Sequence, residues 1–161
     1  ISTAFNVLDK YKNQIIITPH PGEMSKITGK SVREIQANRI KISSDVSRKI
    51  KCISVLKGFR TIISSNSGQI YINGSGNEGM ATGGMGDALT GIIASFIGQG
   101  YSELESTILG VYVHGKAGDS IADVTSKRGI LASEIIKKLP KTIKLIEENS
   151  SIYSDLERIE N

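Results

Sequence analysis

One stretch of the chain combines many glycines with hydroxyl, amide and carboxylate side chains. Residues 73–87 read Asn-Gly-Ser-Gly-Asn-Glu-Gly-Met-Ala-Thr-Gly-Gly-Met-Gly-Asp, and we call them the glycine-rich loop. Glycines let backbone N–H groups approach an anion closely, and the first turn of a helix leaves such groups unpaired. The loop therefore predicts an anion site suited to phosphate. It has neither the Gly-Lys-Ser/Thr of a Walker loop nor a dinucleotide-binding fingerprint.

Asp87 closes the glycine-rich loop and is its unexpected member. A carboxylate beside bound phosphate is repelled by it. One interpretation is an acid in the first turn of a helix, where it stabilises the helix N-terminus. The other is a general base, which takes the proton of a hydroxyl group as a phosphoryl group is transferred to that hydroxyl. Position alone leaves both open.

Two further candidates follow short strands. His20 lies in Thr18–Glu23, where two prolines predict a stiff loop. Lys57 follows another strand, at the kind of strand end where open sheets often meet phosphates. Glu23 is a candidate for an outer contact of magnesium or for a helix-capping acid. Each of these residues, taken alone, is also typical of an ordinary surface position.

Other reactive residue types are better explained by packing. His114, Lys116 and Asp119 lie on a helix interrupted by glycines, a spacing that suits close helix packing, and we interpret His114 as structural. Cys52 has no neighbouring cysteine or histidine and is predicted to be a core residue.

The elements that must position these residues alternate along the chain. Ser31 and Glu34 have the spacing of a capping box, and Asn66-Ser67-Gly68 predicts a hairpin. Strands alternating with helices predict an α/β fold with a mostly parallel sheet. The predicted strands are 15–17, 52–56, 61–64 and 69–73. The predicted helices are 31–49, 87–97, 103–123 and 130–139. Pro140 is predicted to end the last helix, and a peripheral helical tail is predicted to follow it.

Composition limits the function classes. The 161 residues fit one domain, and the net charge of +4 is concentrated in a basic body before an acidic C-terminal segment. Only five Tyr, three Phe and no Trp argue against a stacking platform for single-stranded nucleic acid. No apolar run approaches the ~18 residues of a membrane span, and the lone Cys52 excludes an internal disulfide. We expect a cytoplasmic protein that binds neither nucleic acid nor membrane.

Taken together and in order, several segments resemble one family. The chain is similar to the carbohydrate-kinase-like, ADP/ATP-dependent NAD(P)H-hydrate dehydratases, with the glycine-rich loop as the most specific match. The resemblance implies a ribokinase-like three-layer fold and a homotetramer. The matching segments are Thr18–Glu23, Val55–Gly58, Gly76–Asp87, Val113–Asp119 and Gly129–Ser133.

The resemblance also implies an activity and its residues. Hydrated NADH or NADPH is returned to NAD(P)H at the expense of ADP or ATP with Mg²⁺, by phosphorylation of the ring hydroxyl and elimination of phosphate. Asp87 matches the catalytic base and a substrate contact, and His20 matches a second contact to the hydrate. No protein metal ligand is predicted. The implied nucleotide-binding residues are Lys57, Gly58, Phe59, Arg60, Thr61, Asn77, Thr82, Gly83, Gly84 and Gly86.

Some features depart from this family or leave alternatives open. Met85 stands where a threonine is usual, which removes a hydroxyl but keeps the backbone N–H. The chain is short for the fold, so we expect residues 1–140 to be the C-terminal part of a dehydratase domain and 141–161 a tail, with an epimerase domain possible in the full gene product. A small-molecule kinase of the hydroxyethylthiazole or pyridoxal kinase type, or an inactive nucleotide-binding fragment, would share the glycine-rich loop.

Overall fold

The computed structural model describes residues 15–148 and 156–159 as a mixed α/β chain. The described residues divide into two compact units, 15–72 with 158–159 and 73–148 with 156–157. The strands are β1 (Ile16–Ile17), β2 (Ile53–Leu56), β3 (Ile62–Ser64), β4 (Ile70–Asn73) and β5 (Leu156–Ile159). The helices are α1 (Pro21–Thr28), α2 (Val32–Ala37), α3 (Arg39–Ile50), a 3₁₀ turn (Glu78–Met80), α4 (Met85–Gly98), α5 (Glu103–Ala122) and α6 (Ala132–Glu148).

The strands form one sheet in the order β1-β2-β3-β4-β5. β1 pairs with β2 in parallel, with Ile16 opposite Ile53. β2, β3 and β4 form an antiparallel meander, and the hairpin predicted around Gly68 is confirmed. The α/β class is confirmed, but among the strand pairs with a defined register only β1–β2 is parallel. Hairpin turns between β2, β3 and β4 impose the antiparallel pairing, since parallel strands need a longer crossover.

The first unit packs α3 against β2 and β3. Its core contains Met24, Ile35, Ile42, Val46, Leu56, Ile62 and Ile70, all buried. Small serines allow close approach: Ser64 Oγ donates to Ser43 Oγ at 3.0 Å, and Ser47 Oγ donates to the Ser64 carbonyl at 3.0 Å. Buried hydroxyls that find partners in this way avoid the cost of burying an unpaired polar group.

The second unit is a layer of three helices. Its core contains Met85, Ile92, Phe96, Val113, Ala117, Ile121, Ile130 and Ile135. Gly110 lets α5 lie close to α4, because a Cβ there would stand 2.6 Å from a side-chain carbon of Ile93. Among the described residues, no helix is both long enough and apolar enough to cross a bilayer.

Three predicted boundaries are wrong. Pro21 begins α1 rather than lying in a loop, because proline is well tolerated in the first helical turn. The predicted helix 31–49 is two helices separated at Asn38, whose side chain donates to the Glu34 carbonyl and ends α2. The capping box of Ser31 and Glu34 is confirmed.

The third wrong boundary is Pro140, which lies inside α6 instead of ending it. Leu139, Ile143 and Ile146 pack against the core on both sides of the proline, and this burial offsets the hydrogen bond that proline removes. Residues 141–148 therefore complete a packed helix, and 156–159 form a strand instead of continuing a helical tail. Residues 149–155 and 160–161 of the predicted tail lie outside the described part of the chain.

Candidate active site

The ends of β1 and β2 bring two predicted segments together in the first unit. The Lys57 N–H donates to the Pro19 carbonyl at 2.9 Å, which ties the segment after β2 to the segment after β1. Lys57 Nζ lies 3.7 Å from Glu23 Oε2. His20, Glu23 and Lys57 thus form one cluster, as expected for the carboxyl ends of two parallel strands.

His20 is the N-cap of α1. Its Nδ1 accepts the N–H groups of Gly22 at 3.0 Å and Glu23 at 3.2 Å, while Glu23 Oε2 accepts the His20 N–H at 2.7 Å. This reciprocal pair is a capping box. Since Nδ1 acts as acceptor, the ring proton resides on Nε2, which lies 3.6 Å from Glu23 Oε1 and is the nitrogen that can donate to a ligand.

Glu23 is held as a carboxylate by this arrangement. The hydrogen bond from the His20 backbone, followed by the charge of Lys57, keeps the pKa of Glu23 below its ordinary value, with desolvation opposing the shift. Glu23 therefore orients His20 and faces Lys57. The sequence interpretation of Glu23 as a capping acid is confirmed.

The segment after β2 forms a tight exposed turn. Gly58 adopts φ 140° and Arg60 φ 52°, backbone conformations that side chains disfavour. The Thr61 hydroxyl donates to the Gly58 carbonyl at 3.1 Å. Among the predicted nucleotide-binding residues of this segment, Gly58, Phe59 and Arg60 are exposed, with Phe59 at 84%, whereas Lys57 and Thr61 are half-buried.

Asp119 clamps the glycine-rich loop in the second unit. Its Oδ2 accepts the Gly76 N–H at 2.8 Å, and its Oδ1 accepts the amide of Asn77 at 2.9 Å. Asn77 in turn accepts the Gly79 N–H at 3.0 Å. Both oxygens of Asp119 are therefore committed to the loop. The sequence placed Asp119 near a packed helix but did not predict this role.

Two glycines of α5 make room for the same loop. A Cβ at Gly115 would lie 2.2 Å from Ser75 Oγ and 2.8 Å from the Ser75 carbonyl carbon, and one at Gly118 would lie 2.3 Å from Met80 Sδ. Ser75 Oγ also donates to the Tyr112 carbonyl at 3.1 Å. The predicted close packing along this helix is confirmed, with the glycine-rich loop as its partner.

The glycine-rich loop ends at the N-terminus of α4. Gly84 is the N-cap with φ 82° and has no side chain to accept the first N–H groups of the helix. Thr82 donates its hydroxyl to the Ile130 carbonyl at 3.2 Å, which fixes the approach to the helix. Met85 is buried in the core, so position 85 contributes only its backbone to the loop.

Asp87 occupies the first turn of α4 and is exposed. Within the described part of the chain, no side chain is hydrogen-bonded or ion-paired to its carboxylate. This distinguishes it from Asp119, whose oxygens are both occupied. Asp87 thus presents an exposed carboxylate in the first turn of α4.

Two other reactive residue types are excluded from chemistry. Burial raises the pKa of the Cys52 thiol to about 12, so it stays protonated and inert. Burial lowers the pKa of His114 to about 4, although a backbone hydrogen bond at Met85 opposes the shift. His114 Nε2 is buried and has no partner among the described residues. His114 is therefore neutral and structural, as predicted.

His114 should make the protein less stable at acidic pH. Its folded pKa of about 4 lies below the unfolded value, about 6.5, so the unfolded state binds more protons between these values. Stability is full above pH 6.5 and falls as the pH approaches 4, with a loss of about 2 kcal/mol between pH 7 and pH 5. Urea unfolding of the wild type and His114→Gln should show that this part of the slope disappears in the variant. Equal slopes would contradict a buried neutral His114.

The candidate residues therefore lie in an α/β protein at two kinds of position, the carboxyl ends of two parallel strands and the N-terminus of a helix. A family model described as NAD(P)H-hydrate dehydratase matches residues 2–141, and the chain belongs to that family. The bifunctional NAD(P)H-hydrate repair enzyme of Moorella thermoacetica is 40% identical over 92% of this chain and 28% of that protein. The ADP-dependent (S)-NAD(P)H-hydrate dehydratase of Bacillus subtilis is 33% identical over 86% of this chain and 50% of that protein.

A solved structure gives the same result for the fold. The crystal structure of ADP/ATP-dependent NAD(P)H-hydrate dehydratase from Bacillus subtilis, co-crystallised with ATP/Mg²⁺ and soaked with CoA, is similar at a TM-score of 0.79 and 34% identity, covering 81% of this chain and 48% of that one. The ribokinase-like fold is therefore confirmed. The chain spans half or less of the length of these relatives.

Proposed function

We propose that the protein repairs hydrated NADH and NADPH by dehydrating them to NAD(P)H at the expense of ADP or ATP. One observation carries the proposal: an exposed Asp87 on the first turn of a helix whose glycine-rich loop is clamped by Asp119. Such a carboxylate can take a proton where backbone N–H groups hold a phosphoryl group. The names of the relatives supply the substrate class.

In the proposed reaction, the hydroxyl oxygen of the hydrated ring attacks the terminal phosphorus of the nucleotide, and Asp87 accepts the proton of that hydroxyl. The bond from that phosphorus to the leaving nucleotide oxygen breaks, which gives a phosphorylated hydrate and the shortened nucleotide. Phosphate then leaves with the C–O electron pair. The ring nitrogen supplies electrons and the neighbouring carbon loses a proton, which restores the ring double bond. A phosphate is a far better leaving group than hydroxide, which explains why a nucleotide is consumed.

The other predicted residues divide between binding roles. Lys57, Gly58, Phe59, Arg60 and Thr61 would bind the nucleotide, with Lys57 as a charge for its phosphates. Thr82, Gly83, Gly84 and Gly86 would surround the transferred phosphoryl group. Asn77 would contribute to nucleotide binding by shaping the loop through its hydrogen bonds with Asp119 and Gly79. His20 would donate to the hydrate through Nε2, because Nδ1 is occupied by the helix cap.

Magnesium fits this proposal as a companion of the nucleotide. Among the described residues, no three His, Cys, Asp or Glu side chains lie together as a metal site. Magnesium commonly keeps several waters and binds through nucleotide phosphates with one or two carboxylates. Asp87 is a free carboxylate that could contribute, and the ion would neutralise charge on the phosphates.

The proposal also includes an oligomeric state and a cellular location for the protein. Homotetramer formation is implied by the family resemblance, whereas the cytoplasmic location rests on the single cysteine, which fits a reducing compartment. Several relatives are named bifunctional repair enzymes, which supports a fused epimerase activity in the full gene product.

Lys57→Ala should weaken nucleotide binding about tenfold and leave hydrate affinity near the wild-type value, because the lost charge serves phosphate. Calorimetric titration with ADP and ATP measures the effect. Lys49→Ala removes the same charge from the exposed face of α3 and is the matched control. A loss confined to hydrate affinity would reverse the placement of the nucleotide.

The proposed function is tested by incubating the protein with hydrated NADH, magnesium and ADP or ATP. A dehydratase restores the absorbance of NADH. Accumulation of a phosphorylated product without NADH would instead indicate a small-molecule kinase. Nucleotide binding without any turnover would indicate an inactive nucleotide-binding protein.

A further inference from the structure

Arg39, the first residue of α3, reaches the turn after β2. Its Nη1 donates to the Phe59 carbonyl, and its Nη2 donates to the carbonyl of Leu56 at 3.1 Å and, at the limit of hydrogen-bond distance, to that of Lys57 at 3.5 Å. The Thr61 hydroxyl holds the remaining carbonyl, that of Gly58. Four consecutive carbonyls, from Leu56 to Phe59, are therefore held by side chains.

The turn has little else to hold it. Gly58, Phe59 and Arg60 are all exposed, so packing does not fix their positions. Positive φ angles at Gly58 and Arg60 are sparsely populated conformations that persist only where the surroundings impose them. The guanidinium of Arg39 is half-buried and fits closely, because a Cβ at Gly58 would lie 3.1 Å from its Nη2.

The direction of the carbonyls determines the direction of the N–H groups. In a planar trans peptide the C=O and the following N–H point in opposite directions. Carbonyls of Leu56, Lys57 and Phe59 that point to Arg39 therefore aim the N–H groups of the next residues away from it. The Lys57 N–H confirms the geometry, since it donates to the Pro19 carbonyl. The N–H groups of Gly58 and Arg60 are aimed away from the guanidinium in the same way.

We propose that Arg39 is a positioning residue for nucleotide binding. Its guanidinium fixes the turn so that the N–H groups of Gly58 and Arg60 point outward and can donate hydrogen bonds to phosphate oxygens beside Lys57. Arg39 acts through the turn and does not contact the nucleotide. Backbone N–H groups that point outward from one turn can together attract an anion. The inference rests on the proposed function, which assigns this turn to the nucleotide.

The fork of Arg39 gives the proposal a specific signature. Two parallel Nη donors can hold carbonyls on both sides of Gly58, whereas a lysine ammonium keeps the charge but lacks the planar fork. The charge of α3 and the geometry of the turn can thus be separated by Arg39→Lys. Lys41→Gln is a matched control on the same helix, because Lys41 is exposed and paired only to Asp45 at the surface among the described residues.

The experiment is a titration of ADP and ATP into the wild type, Arg39→Lys, Arg39→Gln and Lys41→Gln, with the folded fraction of each measured by urea unfolding. We expect both Arg39 variants to bind about tenfold more weakly, with Lys41→Gln unchanged. In turnover assays the KM for nucleotide should rise while kcat changes little. Wild-type affinity in Arg39→Lys would overturn the inference. Loss of stability with unchanged affinity would overturn it too, because the role of Arg39 would then be structural.

Amide hydrogen exchange separates failure of the inference from failure of the proposed function. Residues 57–61 should exchange faster in Arg39→Lys than in the wild type, and wild-type exchange rates would overturn the positioning role. A wild type without nucleotide affinity would overturn the proposed function and, with it, the nucleotide role of the turn. If the wild type binds ADP or ATP and Arg39→Lys binds them equally well, the inference is overturned while the proposed function stands.

Discussion

Replacement of Asp87 by asparagine should lower turnover by about 10²–10⁴-fold, the usual contribution of a general base. Asparagine keeps the size of the side chain but cannot accept the hydroxyl proton. Affinity for ADP or ATP should be retained or slightly increased, because a carboxylate that repels phosphate is removed. Steady-state rates and nucleotide titrations measure the two effects separately.

The matched control for this change is Asp45→Asn on α3. Asp45 is exposed and pairs with Lys41 at the surface, so turnover of this variant should stay at the wild-type value. A near-normal rate in Asp87→Asn would remove Asp87 from the mechanism. The helix-capping interpretation would then be sufficient, since a first-turn acid stabilises α4 without taking part in chemistry.

Gly115→Ala should destabilise the second unit and displace the glycine-rich loop. The new Cβ would stand 2.8 Å from the Ser75 carbonyl carbon, which is backbone and cannot move aside cheaply. We expect the free energy of unfolding to fall by about 1–3 kcal/mol. Turnover should fall as well, because the displaced loop leads into the helix that carries Asp87. Urea unfolding and steady-state assays test both effects.

Gly91→Ala on α4 should change the free energy of unfolding in the opposite direction to Gly115→Ala. Gly91 is exposed within the helix, and nothing lies within 4 Å of a Cβ built there. Alanine in a helix interior is preferred over glycine by about 0.5–1 kcal/mol, so this variant should be more stable than the wild type. Gly115→Ala at wild-type stability would contradict the close packing of Ser75 against α5.

Features set by neighbouring residues could be predicted from the sequence. The capping box of Ser31 and Glu34 involves residues three apart, and the hairpin around Gly68 depends on a local glycine with positive φ. The start of α4 beside the glycine-rich loop follows from local composition in the same way. Asp87 could also be identified as a candidate base from the sequence, because the glycine-rich loop that surrounds it directly precedes it along the chain.

Features that depend on distant partners could not be predicted. Asp119 is 43 residues from Gly76 and only the folded chain shows that it clamps the loop. Arg39 likewise meets carbonyls 17 to 20 residues away. Pro140 argued locally for a helix end, but burial of Ile143 and Ile146 outweighed that preference. His20 was identified as a candidate contact, yet its cap of α1 became visible only once Pro21 was seen to start a helix.

The most direct test of the proposed repair activity measures two products in one reaction. Hydrated NADH, magnesium and ADP or ATP are added to the wild type and to Asp87→Asn, and NADH absorbance and free phosphate are followed together. The account predicts equal amounts of NADH and phosphate from the wild type, and formation of both products about 10²–10⁴-fold more slowly from Asp87→Asn. NADH formed without phosphate, or phosphate released without NADH, would contradict a dehydration driven by phosphorylation of the substrate.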